Sequence, residues 1–275
     1  MLSYKTHRTR HPDTNISLYR ELAVVLVLLV VVICLPAVSQ PPTTTPTTPP
    51  APLTTDDVVH KLVDMNIRRQ KALRAFRGTR IYRAEYRGLG ARSAEMVVRV
   101  HYEAPATKDF TIESATGSKL IIDRVFAKLL EAEKEALNAD VQRRSALTED
   151  NYRFTLTGYE EGPARAKYIL VVEPRTRDKF LYRGRIWVDA TDFAVVRVEA
   201  QPAKNPSFWT KNTEVVQEYS KVGGFWLPAQ NRSVSTIRLG GRAELSIEYK
   251  DYEITPVADA SGRPTRSQAN GPAIR

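Results

Sequence analysis

Of the four histidines in this 275-residue chain, His7 and His11 precede a long apolar run, which leaves His60 and His101 in the part able to fold. His60 falls in a stretch with helical spacing and His101 on the polar side of an alternating stretch. Neither has a histidine, cysteine or carboxylate beside it at the spacing a metal site needs, so both read as surface residues. There is no Gly-x-Ser-x-Gly elbow, no phosphate-binding loop and no dinucleotide fingerprint; Gly223-Gly224 and Gly240-Gly241 read as hairpin turns. Asp56-Asp57 and Glu160-Glu161 are adjacent acids, and neighbours in an extended chain point to opposite faces, so neither is an obvious acid/base pair. No catalytic residue, metal or cofactor is expected, and the chain does not read as an enzyme.

The residues suited to recognising a ligand are aromatic and aliphatic. Tyr82, Tyr86, Tyr102, Phe154, Tyr168, Tyr182 and Tyr249 fall on the apolar sides of different alternating segments. A tyrosine there offers an apolar body and a polar tip that needs a partner. Two readings stay open: a core whose hydroxyls reach its rim, or a greasy cleft with polar anchors for an acyl-bearing ligand. In the second, Tyr82, Tyr86, Met96, Val98, Val100 and Tyr102 form one wall, with Phe126 and Leu129 from a helix. Phe154, Leu156, Tyr168, Leu170, Tyr182, Ile186, Val196, Leu245 and Ile247 form the rest.

These side chains need strands to present them. The spacing predicts a first helix capped by Thr54 or Thr55 and ending near Leu73, with Val59, Leu62, Val63 and Met65 as its apolar stripe. From there the period changes to two. Tyr82–Tyr86 and Met96–Tyr102 read as a hairpin, Phe110 and Ile112 as a third strand, and Ile122, Val125, Phe126, Leu129 and Leu130 as an inserted amphipathic helix. Period two returns from Tyr152 to Tyr249. About ten strands with short connections argue for a mainly β (α+β) fold: a strongly curved antiparallel half-barrel with two or three helices covering its concave face. Arg183, Arg185, Glu199, Glu244, Glu248 and Lys250 occupy alternate positions and make the other face wet.

Lysine and arginine total 41 against 31 acids, a formal net charge of +10, yet the charges alternate along the segments and form no block or stripe. Nucleic acid is therefore not an expected partner. The single cysteine, Cys34, lies inside the apolar run Leu22–Leu35. Fourteen residues span about 21 Å as a helix, short of the roughly 30 Å hydrocarbon core, which favours a signal peptide. Ala37-Val38-Ser39 offers a cleavage site, while a helix extended through Val38 would make an anchor; the basic leader places the domain outside the cytoplasm in both cases. The organisation expected is a signal peptide or anchor over 1–39, a Pro/Thr-rich spacer over 40–55, the half-barrel over 56–256 and a disordered tail over 257–275.

Two stretches resemble the LolA/LolB-like family of periplasmic lipoprotein carriers, the outer-membrane lipoprotein-sorting proteins. One is Leu181-Tyr182-Arg183-Gly184-Arg185-Ile186-Trp187-Val188-Asp189 with Thr191-Asp192-Phe193-Ala194-Val195-Val196-Arg197-Val198-Glu199. The other is Lys221-Val222-Gly223-Gly224-Phe225-Trp226-Leu227-Pro228, with Tyr249-Lys250-Asp251-Tyr252 like the family's closing strand. The resemblance implies a half-barrel, closed by helices, that shelters acyl chains in transit through the periplasm. Lipid acyl chains or lipoproteins are thus the expected ligands; membrane-associated proteins are expected partners, and the chain is expected to be a monomer. The same fold also serves as an envelope sensor, so a tethered sensor or interaction domain is the alternative.

Overall fold

In the computed structural model, residues 53–257 are described apart from 89, 164, 205–209 and 239. The expected export segment, most of the spacer and nearly all of the tail lie outside the described residues. The first helix, α1 (Thr55–Ala72), starts where the sequence places it. Thr54 Oγ1 accepts from the Asp57 backbone N–H at 3.2 Å, and the Asp57 carboxylate accepts from the Thr54 N–H at 2.9 Å, a reciprocal capping box. The helix runs straight into β1 at Leu73 with no intervening turn.

Ten strands follow in one antiparallel sheet: β1 (Leu73–Gly88), β2 (Gly90–Glu103), β3 (Thr107–Gly117), β4 (Tyr152–Glu160), β5 (Lys167–Pro174), β6 (Tyr182–Asp189), β7 (Val195–Pro202), β8 (Thr210–Val222), β9 (Phe225–Ile237) and β10 (Arg242–Pro256). Their order is β3-β2-β1-β10-β9-β8-β7-β6-β5-β4. The half-barrel expected from the alternation is present. Register shifts within β1–β10, β2–β3, β4–β5, β6–β7 and β8–β9 add the local bends that let such a sheet curl. Gly223 and Gly224, at φ 54° and 86°, form the two-residue β8–β9 turn, a conformation most side chains resist.

This order explains where the helices go. β3 and β4 are consecutive in sequence but lie at opposite edges, so the chain between them must cross a whole face. It does so as α2 (Lys119–Ile121), a π-helical turn (Ile122–Phe126), α3 (Ala127–Glu135) and α4 (Ala139–Ser145). The π turn and α4 were not legible in the sequence. A π turn adds a residue to one helical turn, and α4 carries only one buried apolar residue, Val141. Helix α1 covers the same face from the other side: the Thr55 hydroxyl accepts from the Leu156 N–H of edge strand β4 at 3.2 Å, and the helix ends at β1. Among the described residues no helix is long and apolar enough to cross a membrane.

Candidate functional site

The strand registers align one inward row across the whole sheet: Ala115, Met96, Tyr82, Ile247, Asn231, Gln217, Val198, Ile186, Leu170 and Leu156, from β3 to β4. Tyr82, Met96, Val198, Ile186 and Leu170 are buried. Phe126, in the π turn, packs its ring 5.9 Å from that of Tyr82, and both are fully buried; Leu129 follows it on α3. Burying side chains of this size stabilises the helix on the sheet by about 1.5–3 kcal/mol each.

The expected strand residues fall on the inner face by parity, with Val196 at the β6–β7 register shift, and Phe126 and Leu129 lie on the helical cover. Val98, Val100, Tyr102, Tyr182, Val196 and Ile247 are buried, and Phe154, Leu156, Tyr168 and Leu245 are half-buried towards the margins. Tyr86 is half-buried at the rim, where its hydroxyl donates to the Gly240 carbonyl at 3.2 Å. The cover ends before the sheet does: Ile112 of β3 opposes buried Val98, yet is 54% exposed. The histidines stand outside this set. His60 is exposed, with Nε2 3.8 Å from Glu149, and His101 pairs across the ladder with Asp109, on the face opposite Val100 and Tyr102.

The inner face is not uniformly apolar. On the middle strands β8 and β9, Thr213, Gln217, Asn231, Ser233 and Ser235 point inward and are buried. Thr213 and Ser235 share a hydrogen bond at 2.8 Å, and Asn231 Nδ2 donates to Gln217 Oε1 at 2.8 Å. Alternation alone would have flagged them, since each shares a parity with apolar neighbours such as Val215 or Ile237.

A buried ion cluster pins α3 to the sheet. Arg80 of β1 donates to Glu133 Oε1 at 2.5 Å and to the Tyr82 hydroxyl at 3.2 Å, and Lys108 of β3 donates to Glu133 Oε2 at 3.0 Å. Burial alone would raise the Glu133 carboxyl, but the Arg80 and Lys108 charges prevail and hold it down at about 2. For Lys108 burial prevails and pulls the ammonium below its usual range. Two cations share one carboxylate, so the cluster carries a net positive charge. The sequence signal was present: Arg80 shares Tyr82's parity, and Glu133 sits four residues past Leu129 on the buried stripe.

A second knot holds α1, and it joins the two stretches that carry the family resemblance. Asp192 Oδ2 accepts from Lys221 Nζ at 2.6 Å, Trp226 Nε1 at 2.9 Å and Arg165 Nη1 at 2.9 Å. Burial opposes ionisation of Asp192, but the Lys221 and Trp226 hydrogen bonds outweigh it and lower its pKa. Asp189 caps the same turn, accepting from the Thr191 and Asp192 N–H groups at 3.0 and 2.7 Å. The turn thereby presents the Asp192 and Phe193 carbonyls to Arg69 of α1, which is 1% exposed and donates to both. Asp189, Asp192, Lys221 and Trp226 of the two stretches thus hold the turn on which α1 docks, while Arg185, Arg197 and Glu199 pair with one another on the outer face.

No family model matches the chain, and no curated protein matches it. Among solved structures, the chain is similar to a DUF1329 family protein from Desulfovibrio piger ATCC 29098, at 13% identity and TM-score 0.37 over 73% of this chain and 92% of that one. It is similar to a LolA superfamily protein from Nitrosomonas europaea at 11% identity and TM-score 0.33, covering 77% and 98%. It is similar also to an outer membrane lipoprotein-sorting protein domain from Vibrio parahaemolyticus at 12% identity and TM-score 0.31, covering 68% and 88%. Likeness at this level fixes neither a ligand nor a partner.

Proposed function

We propose that this chain is a non-catalytic binder of acylated ligands in the bacterial envelope, acting in lipoprotein sorting to the outer membrane, with the acyl chain held between the curved sheet and its helices. The observation that carries this reading is that the apolar side chains of the inner face are left only partly covered at the two edge strands. Ile112 is left 54% exposed on β3, and Phe154 and Leu156 are half-buried on β4. A hydrocarbon chain entering there would gain about 0.8 kcal/mol per buried methylene. In this reading Tyr82, Met96, Val98 and Ile247 line the β1–β2 side and Leu156, Tyr168, Leu170 and Ile186 the β4–β6 side. The basic leader and the apolar run Leu22–Leu35 support export.

Native mass spectrometry of the protein extracted gently from a cell envelope tests the reading. A co-purifying lipid or acylated protein, released by mild collisional activation, is the expected result. A bare polypeptide mass after such extraction would overturn it.

A second reading, a tethered sensor or interaction domain, is favoured by the Pro/Thr-rich spacer after the apolar run. A proline-rich spacer reaches up to about 3.1 Å per residue, and one that ends at the Thr54 cap of α1 would hold the domain away from the membrane. A mature N-terminus at Gln40 would end the tethered form of this reading; an intact leader on membrane-bound protein would support it.

A further inference from the structure

Among the described residues, two buried polar atoms inside the sheet have no hydrogen-bond partner: Asn231 Oδ1 and the Tyr249 hydroxyl. Asn231 is fully buried and Tyr249 is 6% exposed. They are neighbours on one face. Asn231 of β9 pairs with Ile247 of β10, and Tyr249 is the next residue along β10 on the same side. That diagonal relation places the two residues about 7–8 Å apart between backbones, close enough for one small group to touch both side chains.

The surrounding bonds fix which atom each residue presents. Gln217 Nε2 donates to the carbonyls of Glu218 and Gln230 at 2.9 and 3.0 Å, so Gln217 must turn Oε1 towards Asn231. Asn231 must then answer with Nδ2, leaving Oδ1 as a free acceptor. The Tyr249 ring lies under the Arg80 guanidinium, 5.0 Å from its centroid, and at neutral pH its phenol is a donor. An acceptor and a donor, both unpaired, therefore lie on the same face of the neighbouring strands β9 and β10, with apolar Ile247 beside them. Unpaired buried polar groups are costly, and two together define a complementary site.

We infer that Asn231 and Tyr249 form a head-group site inside the acyl-binding face, selecting ligands whose chain is joined through a group that both donates and accepts. An amide fits: its N–H donates to Asn231 Oδ1 and its carbonyl accepts from Tyr249. An ester accepts only and leaves Asn231 unpaired. This inference rests on the acyl-binding reading above and adds the chemistry of the head group.

The test uses the apolar fluorophore N-phenyl-1-naphthylamine on the full chain, displaced by N-methyldodecanamide or by methyl dodecanoate, which differ in N–H against O. The amide should displace the probe at about tenfold lower concentration than the ester. Tyr249→Phe removes one oxygen atom; it should leave the melting temperature of the ligand-free protein unchanged or raised, and bring the two ligands within about twofold. Equal displacement in the wild type, as for a pocket that holds a water only, would overturn the head-group site and leave the acyl face standing. No binding of the probe or either ligand would overturn both. A Tyr249→Phe protein that melts several degrees lower with its amide preference intact would make the hydroxyl structural and overturn the site.

Discussion

Arg80 and Glu133 meet at 2.5 Å across the seam between β1 and α3, each side chain 3% exposed. The pair decides how the helical cover is held, because Lys108 joins it at 3.0 Å and both cations are buried. Replacing Glu133 by Gln would leave two buried positive charges sharing a neutral amide. Breaking a buried pair in this way costs about 3–5 kcal/mol, so Glu133→Gln should lower the urea midpoint with an unchanged slope.

The same carboxyl predicts an acid transition. The Arg80 and Lys108 charges depress the folded pKa of Glu133 to about 2 from an ordinary 4.5, so protons bind preferentially to the unfolded chain as the pH drops. Its contribution is fully present above about pH 4.5 and is lost as pH falls towards 2. Asp192 is shifted in the same direction and adds to the loss. Melting temperatures measured from pH 7 to pH 2.5 should fall in that window, and the fall should be shallower in Glu133→Gln. A profile with the same slope in both proteins would remove Glu133 from the account.

Arg83 supplies an internal control, three residues further along β1 and on the opposite face. It bridges Glu95 at 2.7 Å and Glu248 at 3.3 Å, but its side chain is 48% exposed. Solvent-exposed pairs contribute little, so Arg83→Ala should cost under about 1 kcal/mol where Arg80→Ala costs several. Paired urea titrations check this, and 1 M salt should erase the Arg83 effect while sparing most of that of Arg80.

These two arginines also show what alternation can and cannot reveal. The period-two pattern put Tyr82, Met96, Val98, Leu170 and Ile186 on one face because a half-buried strand repeats every second residue, and register keeps that face continuous over ten strands. The capped start of α1 was legible for a similar reason, since Thr54 and Asp57 bond locally. Pairing between β1 and β10, and the edge-to-edge crossing it forces, depends on contacts about 170 residues apart that no local pattern encodes. Parity and helical spacing point Arg80 and Glu133 inward, but their meeting with Lys108 is not legible, because each, taken alone, is an ordinary charged residue. Only the fold brings them into one dry cluster. Asn231 and Gln217 share the inward parity too, but a polar residue in a strand is usually turned outward, so parity alone does not single them out.

The knot at Arg69 makes a regional prediction. Its guanidinium is the buried tie between α1 and the Asp192 and Phe193 carbonyls, and Arg69→Met keeps much of the apolar stem while removing the donors. Losing hydrogen bonds from a charged donor should cost about 1.5–3 kcal/mol. Amide hydrogen exchange should accelerate along Thr55–Ala72 and around the β6–β7 turn, while the β1–β2 hairpin keeps its protection. Uniform acceleration across the sheet would mean that Arg69 supports global folding and not the docking of one helix.

The exposed margin of the inner face tests the acyl-binding reading at a position where folding is not at risk. Ile112 is 54% exposed and faces inward, whereas its neighbour Thr111 pairs with Arg99 on the outer face. Ile112→Asp therefore buries no charge in the ligand-free protein and should shift stability by under about 1 kcal/mol. A hydrocarbon crossing that margin would have to desolvate the new carboxylate, so the variant should bind N-phenyl-1-naphthylamine several-fold more weakly. Thr111→Asp introduces the same charge one residue away, on the other side of the sheet, and should leave probe affinity unchanged. Equal weakening by both substitutions would point to a general electrostatic effect on the basic chain. No change from either would mean that ligands enter elsewhere, and Leu156→Asp at the opposite edge would then be the variant that lowers the affinity.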